Sequence, residues 1–178
     1  MKNLFWKWEK AVPPAACEVI KSQFSDSSCK IAQVGNGTID PERRNSDISW
    51  LKPNDWVEGI LYNHVRYANQ SAGWNFDING IEAIQLTRYR QGQFYEWHSD
   101  RDILDDSGDK RKLSVVLLLS DPSEYQGGGL FLQDFSDNLL QNQGDLVVFP
   151  SFLVHKAAEV TDGVRMTAVG WVTGPAFK

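Results

Sequence analysis

The run Leu113 to Ser120, L-S-V-V-L-L-L-S, most narrows what this chain can fold into. It is a nearly continuous apolar stretch of strand length, and a strand without polar alternation is covered on both faces. It predicts the centre of a sheet. At 178 residues, with 42% apolar and 12% aromatic content, the chain is long enough for one domain with a sizeable core.

Around that strand the texture changes once. Pro13 and Pro14 open a segment in which Cys17, Ile20 and Phe24 recur at helical spacing, and proline is tolerated in a first helical turn. A second helix, capped by Asn54 or Asp55, carries Trp56, Ile60, Val65 and Tyr67 to about Asn69, before Ala72-Gly73. Between them, Ile31 to Val34 reads as a strand running into a turn at Gly35 and Gly37. The polar piece Asp40 to Ser49 reads as a loop with solvated Arg43 and Arg44 that could cover a pocket. From Trp74 onward short strands and glycine turns follow: Ile81 to Arg90, Phe94 to His98, the Gly127-Gly128-Gly129 turn, the turn Gly144-Asp145 into L-V-V-F-P, and Val164 to Val172. Arg101 to Lys110 is an acidic loop whose spacing does not match a calcium site. The fold class is therefore mainly β with flanking helices (α+β). The core is a jelly-roll barrel of some eight strands, with two N-terminal helices packed on one sheet. Residues 1–178 are expected to form a single domain, with helical support over about 1–72 and the jelly-roll core over about 73–174.

A net charge of -5, a pI near 5.2 and no lysine or arginine run argue against nucleic acid as a partner. The N-terminus shows no apolar stretch of signal-peptide length and no window approaches a membrane span, so the expected location is cytoplasmic, with no membrane partner. Cys17 and Cys29, without C-x-x-C spacing, read as buried reduced thiols.

Chemistry points to Tyr89 to Asp100, Y-R-Q-G-Q-F-Y-E-W-H-S-D. His98 and Asp100 are two apart, so on an extended strand both leave one face, and together they make two thirds of a facial triad for non-haem Fe(II). Alone the pattern is weak, since H-x-D arises by chance in roughly one such chain in four. The third ligand must come from elsewhere, and the chain has only two other histidines. His64, inside the second helix without a helical partner ligand, reads as structural. His155 precedes Thr161-Asp162-Gly163, which has the form of a three-residue hairpin loop. On that register residues 155 and 169, 157 and 167, and 159 and 165 are paired, and His155, Arg165, Thr167, Val169 and Trp171 share a face. Arg165 then lies roughly 13 Å along the sheet from His155, room for a short dicarboxylate between guanidinium and metal. The competing partner for Arg165 is Glu159, facing it across the hairpin.

The combined pattern is Y-x-x-G-x-x-Y-x-x-H-x-D, then E-Y-Q-G-G-G-L, then G-D-L-V-V-F-P, then H-x10-R. It resembles the Fe(II)- and 2-oxoglutarate-dependent dioxygenases, in the prolyl-4-hydroxylase branch, over roughly Ile81 to Val172. The helix after Pro13-Pro14 resembles that family's entry helix. The resemblance implies a double-stranded β-helix, His98, Asp100 and His155 as metal ligands, and Arg165 as anchor of the distal carboxylate of 2-oxoglutarate, with Tyr89 and Thr167 reaching the cosubstrate. It implies Arg111 and Trp171 as substrate-site residues, with Tyr95 and Trp97 as further aromatic walls. Fe(II), 2-oxoglutarate and O2 are the implied cofactors and ascorbate a candidate reductant. Arginine at 165, where collagen-type animal enzymes carry lysine, points to the oxygen-sensor-like and bacterial or phage relatives.

The reaction implied is hydroxylation of an unactivated C–H, with oxidative decarboxylation of 2-oxoglutarate to succinate. A prolyl residue of a protein or peptide is the first substrate class, and a free amino acid or other small molecule the second. A filled carboxylate position at Asp100 favours hydroxylation over halogenation. The reading of a different class is a cupin-like sensor that binds metal or a small acid without turnover.

Overall fold

The computed structural model describes residues 3–32, 34, 38–101 and 108–176. The expected turn at Gly35 and Gly37 and most of the acidic loop after Arg101 lie outside the described residues. Among the described residues there are two α-helices and thirteen strands, and the strands form two antiparallel sheets. The larger runs β1 (Trp6–Trp8), β11 (Leu146–Pro150), β8 (Lys110–Leu118), β13 (Val160–Gly174), β6 (Gln85–Arg90), β4 (Asp47–Trp50), β2 (Lys30–Ile31), with β5 (Gly80–Ile81) and β9 (Tyr125–Gly127) also on β13. The smaller runs β10 (Leu130–Leu132), β12 (His155–Ala157), β7 (Phe94–His98), β3 (Arg44–Asn45). Two facing sheets with the helices α1 (Pro14–Ser22) and α2 (Trp56–Ser71) packed on the larger are the expected jelly-roll layering. The first 72 residues contribute four strands as well as both helices.

The apolar run is central for the reason its composition gives. Between β11 and β13, β8 sends Leu113, Val115 and Leu117 outward to the helices, where Val57, Leu61 and Val65 of α2 and Cys17 and Ile20 of α1 meet them. Val116 and Leu118, on the alternate face, meet Leu130, Leu132, Val147 and Phe149 between the sheets. From Lys112 to Leu118 no position on the strand is left for water, hence no alternation there. Burial there is worth about 1.5–3 kcal/mol per large side chain.

Local signals set the ends of the elements. The Asp55 carboxylate accepts from the Val57 N–H, an N-cap, and Gly73 takes φ +73° just past the C-cap Ala72. At Gly144, φ is +85° and a Cβ would stand 2.0 Å from the Val12 carbonyl oxygen, so the turn before β11 closes on the strap that leads to α1. The buried Asp145 secures that junction by accepting from the backbone N–H groups of Lys10, Gln141 and Asn142. His64 is structural as expected, its Nδ1 2.9 Å from the Ile60 carbonyl and its ring edge-on to Trp8. Burial pushes the Cys17 thiol up to about 11, so it packs as a protonated thiol; Cys29 is half-buried. Among the described residues no helix is long and apolar enough to cross a membrane.

The hairpin expectation fails. Thr161-Asp162-Gly163 does not turn the chain back on itself. His155–Ala157 pair with β10 and β7 in the smaller sheet, and the chain then crosses to the larger one, where Val160 to Gly163 pair with β9. His155 stands opposite His98, not Val169, and Arg165 opposite Tyr89, not Glu159. A turn motif reports only local conformation, whereas here each strand had a longer-range partner to satisfy.

Candidate active site

A β-bulge decides which residues of β7 look inward. The register pairs His155 with His98 but Ala157 with Tyr95, so two steps along β12 match three along β7. Strict alternation would put Tyr95 and His98 on opposite faces. With the extra residue they share one, and their rings stack with centroids 3.4 Å apart and planes 12° apart. Trp97 is correspondingly turned outward, 41% exposed beneath the Lys156 ammonium at 4.8 Å. The expectation that Trp97 walls the inner cavity is corrected on this ground.

His98, Asp100 and His155 converge, with one ligand atom from each within 4.8 Å of the others. His98 Nε2 lies 3.6 Å from Asp100 Oδ1 and His155 Nε2 3.5 Å from Asp100 Oδ2. Ligands bonded to one metal at about 2.1 Å would be about 3 Å apart, so these separations need only a slight closing. Each imidazole is held by its other nitrogen: His98 Nδ1 is 2.7 Å from the Glu96 carbonyl and His155 Nδ1 3.0 Å from the Leu153 carbonyl. A carbonyl can only accept, so each Nδ1 carries the proton and each Nε2 presents a lone pair toward the carboxylate. Asp100 is fixed in turn by its backbone N–H to the Ser151 carbonyl (2.9 Å) and by the Ser114 hydroxyl (2.7 Å), itself 3.0 Å from the Ser151 hydroxyl. Ser114, inside β8, and Ser151, in the turn just past β11, were not singled out by the sequence.

Burial, and then the neighbouring His155, hold the His98 imidazole well below its ordinary pKa. Burial raises the Asp100 carboxyl, but His155, His98 and the Ser114 hydroxyl together outweigh it and keep it low. An ionised carboxylate beside a neutral imidazole with its lone pair inward is the protonation state a divalent cation requires.

These groups open into a cavity of about 770 Å³ that also takes in Tyr89, Tyr95, Arg165, Thr167 and Trp171. Arg165, Thr167 and Trp171 share a face through the two-residue period of β13, so their grouping survives the loss of the expected hairpin. Arg165 is 2% exposed and its Nε has no hydrogen-bond partner among the described residues; the guanidinium carbon lies 5.7 Å from the Tyr89 ring centroid. Glu159 is exposed, Arg165 stands opposite Tyr89, and no ion pair joins Glu159 to Arg165 among the described residues. A buried cation with an orphaned donor, facing a cavity, is a site arranged for an anion. Gly128 makes room for it: φ is +65°, and a Cβ there would lie 2.7 Å from Arg165 Cδ. Tyr89 is buried, which raises its phenol pKa; Arg44 and Arg165 oppose that.

Arg111 reaches the cavity with its charge already matched, bonded at 2.6 Å twice to Glu82 and stacked 4.1 Å over Trp171. Arg44, expected in solvent, is buried, bonded to Gln85 Oε1 at 2.8 Å and 4.5 Å from the Tyr95 ring centroid. Trp50 was also missed; it lines the same cavity 6.1 Å from Trp171. The signal was present, because Arg44, Ser46, Ile48 and Trp50 alternate, which is a strand pattern inside a stretch that composition alone marks as loop.

The sequence model of the 2OG-Fe(II) oxygenase superfamily matches residues 84–173. A PKHD-type hydroxylase of Picosynechococcus is 32% identical over 175 residues, covering 95% of this chain and 78% of that protein. One from Parvibaculum lavamentivorans is 41% identical over 91 residues, 50% of this chain; the match spans only 41% of that protein's length. Among solved structures, the viral collagen prolyl hydroxylase of Paramecium bursaria Chlorella virus-1, in complex with 2OG, superposes with a TM-score of 0.75 over 97% of both chains at 23% identity, a likeness of fold.

Proposed function

Because the chain belongs to the 2OG-Fe(II) oxygenase superfamily, we propose that it is a 2-oxoglutarate-dependent hydroxylase acting on an unactivated C–H, first of all on a prolyl residue of a peptide or protein. The observation that carries this reading is the convergence of His98, Asp100 and His155 on one point of a cavity that also holds the orphaned donor of Arg165. In this reading the two Nε2 atoms and the carboxylate hold Fe(II). Arg165 pairs with the distal carboxylate of 2-oxoglutarate, and Thr167 and Tyr89 offer hydroxyls nearby. Bound iron and 2-oxoglutarate supply the activation of O2, with decarboxylation to succinate, and ascorbate serves as external reductant.

The chain's own residues orient and enclose. The carbonyls of Glu96 and Leu153 fix both histidine tautomers, and Ser114 fixes the Asp100 rotamer, so the ligand set needs little rearrangement on loading. Tyr95 and Trp171 exclude water from the reacting C–H, and Arg111, neutralised by Glu82, stiffens the Trp171 wall. The name of the viral structural neighbour, a collagen prolyl hydroxylase, supports a prolyl substrate.

The test is succinate formation from 2-oxoglutarate with Fe(II) and ascorbate, first without any substrate. Uncoupled succinate that disappears in His98→Ala is the expected result. Tight 2-oxoglutarate binding with no succinate under any condition would instead make the chain a sensor.

A further inference from the structure

We propose that the substrate segment is acidic: an apolar ring-bearing residue flanked by carboxylates. The proposal rests on the hydroxylase reading above and extends it from reaction to substrate class.

The charge of the cavity is opposite to that of the chain. Of 18 lysines and arginines, six line it, whereas of 23 acids the one lining acid among the described residues is Asp100. Three of the six are already used. Arg165 faces the cosubstrate position, Arg44 is tied to Gln85 and Tyr95, and Arg111 is neutralised by Glu82. Lys30, Arg43 and Arg101 remain. All three are exposed, and none has an ion pair among the described residues. They come from three separate segments: β2, the turn before β3, and the residue after Asp100. Between them lies apolar surface, with Ile31 59% exposed and Trp50 45% exposed beside Trp171.

Cations around a concave, low-dielectric mouth focus their field into it, and that field selects an anion. A small acid would be satisfied by one or two of these cations. A ligand that meets three segments and also covers Ile31 and Trp50 is extended and amphipathic, as a peptide is. A polynucleotide fits less well, because three free cations neutralise few phosphates and the rest of a chain at net -5 repels them.

The test uses fluorescein-labelled peptides with one central proline flanked by glutamate, glutamine or lysine. Anisotropy is read on the full chain with Mn(II) and 2-oxoglutarate, so that nothing turns over. The glutamate peptide should bind about tenfold tighter than the glutamine peptide, and the gap should shrink as salt shortens the Debye length to about 5 Å. In the double variant Arg43→Glu, Arg101→Glu the order should reverse, with the lysine peptide preferred. Equal affinities in the wild type would overturn the proposal. An unchanged order in the double variant, or tighter binding by oligothymidylate or by free proline, would overturn it as well. Uncoupled succinate from the wild type separates the two levels. If it forms while the charge ranking is absent, only the substrate inference falls; if neither is seen, the hydroxylase reading falls too.

Discussion

The ladder between β8 and β13 and the pair between β7 and β12 do opposite work. The first runs through eight matched pairs, from Thr167 with Leu118 to Gly174 with Lys110, and most of its residues are buried. The second has a three-residue strand and a bulge. The long ladder is held by its apolar faces and displays Thr167 and Trp171, while the short pair contributes little apolar burial and carries two of the three converging ligands. Apolar burial is thus concentrated in the larger sheet and the converging side chains in the smaller; both pairs carry an irregularity, but that of the long ladder falls near its end, between Val172 and Thr173, whereas that of the short pair re-aims a ring into the site.

The sharpest way to break that contrast is to damage each region and read both properties. Asp100→Ala should weaken Mn(II) binding by more than about a hundredfold, as loss of a ligand exceeds the 10–100-fold typical of its supporting partners. The change in urea stability should stay within about 1–2 kcal/mol, because a buried charge and its desolvation penalty are removed together. Leu117→Ala, in contrast, should cost about 2–5 kcal/mol in urea while the folded fraction keeps its metal affinity. If both variants lose both properties, the two sheets are one cooperative site and the division of labour is wrong.

A smaller effect is expected at the seam. Gly128 sits at φ +65°, with Arg165 Cδ and Val160 Cγ2 at 2.7 and 2.9 Å from the position a Cβ would take. Gly128→Ala should therefore shift the guanidinium and weaken 2-oxoglutarate binding by about tenfold, a loss of about 1.4 kcal/mol, with metal affinity unchanged. Calorimetric titration of the Mn(II)-loaded protein checks it, and unchanged 2-oxoglutarate affinity would remove Gly128 from the anion site.

The metal-free protein adds a pH test. His98 is depressed in the folded state, so below its unfolded pKa of about 6.5 the unfolded chain binds the extra proton. Its contribution is whole above that value and is lost as pH falls, by up to about 1.4 kcal/mol per unit. Asp100, also depressed, adds a loss of the same sign lower, below about 3.9. Urea midpoints from pH 7 to 5 should fall, and His98→Gln should flatten the fall. Equal slopes in the two proteins would assign it to other groups.

How much of this was legible follows from how far each signal reaches. The Leu113 to Ser120 run names a doubly covered strand because composition alone requires two apolar neighbours, and the Arg165, Thr167, Trp171 face follows from period two wherever the strand pairs. The partner of β12 was not legible. Thr161-Asp162-Gly163 states a local turn preference, and the choice between folding back on β13 and joining β7 depends on residues more than fifty positions earlier. Arg44 was misplaced because charge and a polar neighbourhood outweighed an alternation only four residues deep.

The smallest predicted effect falls where bulge and sequence disagree most. In the sequence Trp97 stands beside His98 and one alternate position from Tyr95, so it belongs to the same aromatic wall by any unbroken strand reading. The bulge sends it to the outer face, where Phe131, Phe135 and Lys156 surround it. What it then offers is a cation–π contact worth about 0.5–1 kcal/mol at an exposed site. Trp97→Ala should therefore cost no more than about 1 kcal/mol of stability, with metal, 2-oxoglutarate and peptide affinities within about twofold of wild type. Tyr95→Ala, two residues away, removes the ring stacked on His98 and should weaken metal binding by about tenfold, since the stack restrains the imidazole as an outer-shell partner does. The pair of variants reads the bulge directly: equally small effects at 95 and 97 would mean the strand is regular in solution, with both aromatics on the face away from His98, whereas a clear loss at 95 and almost none at 97 is what the extra residue between Tyr95 and His98 produces.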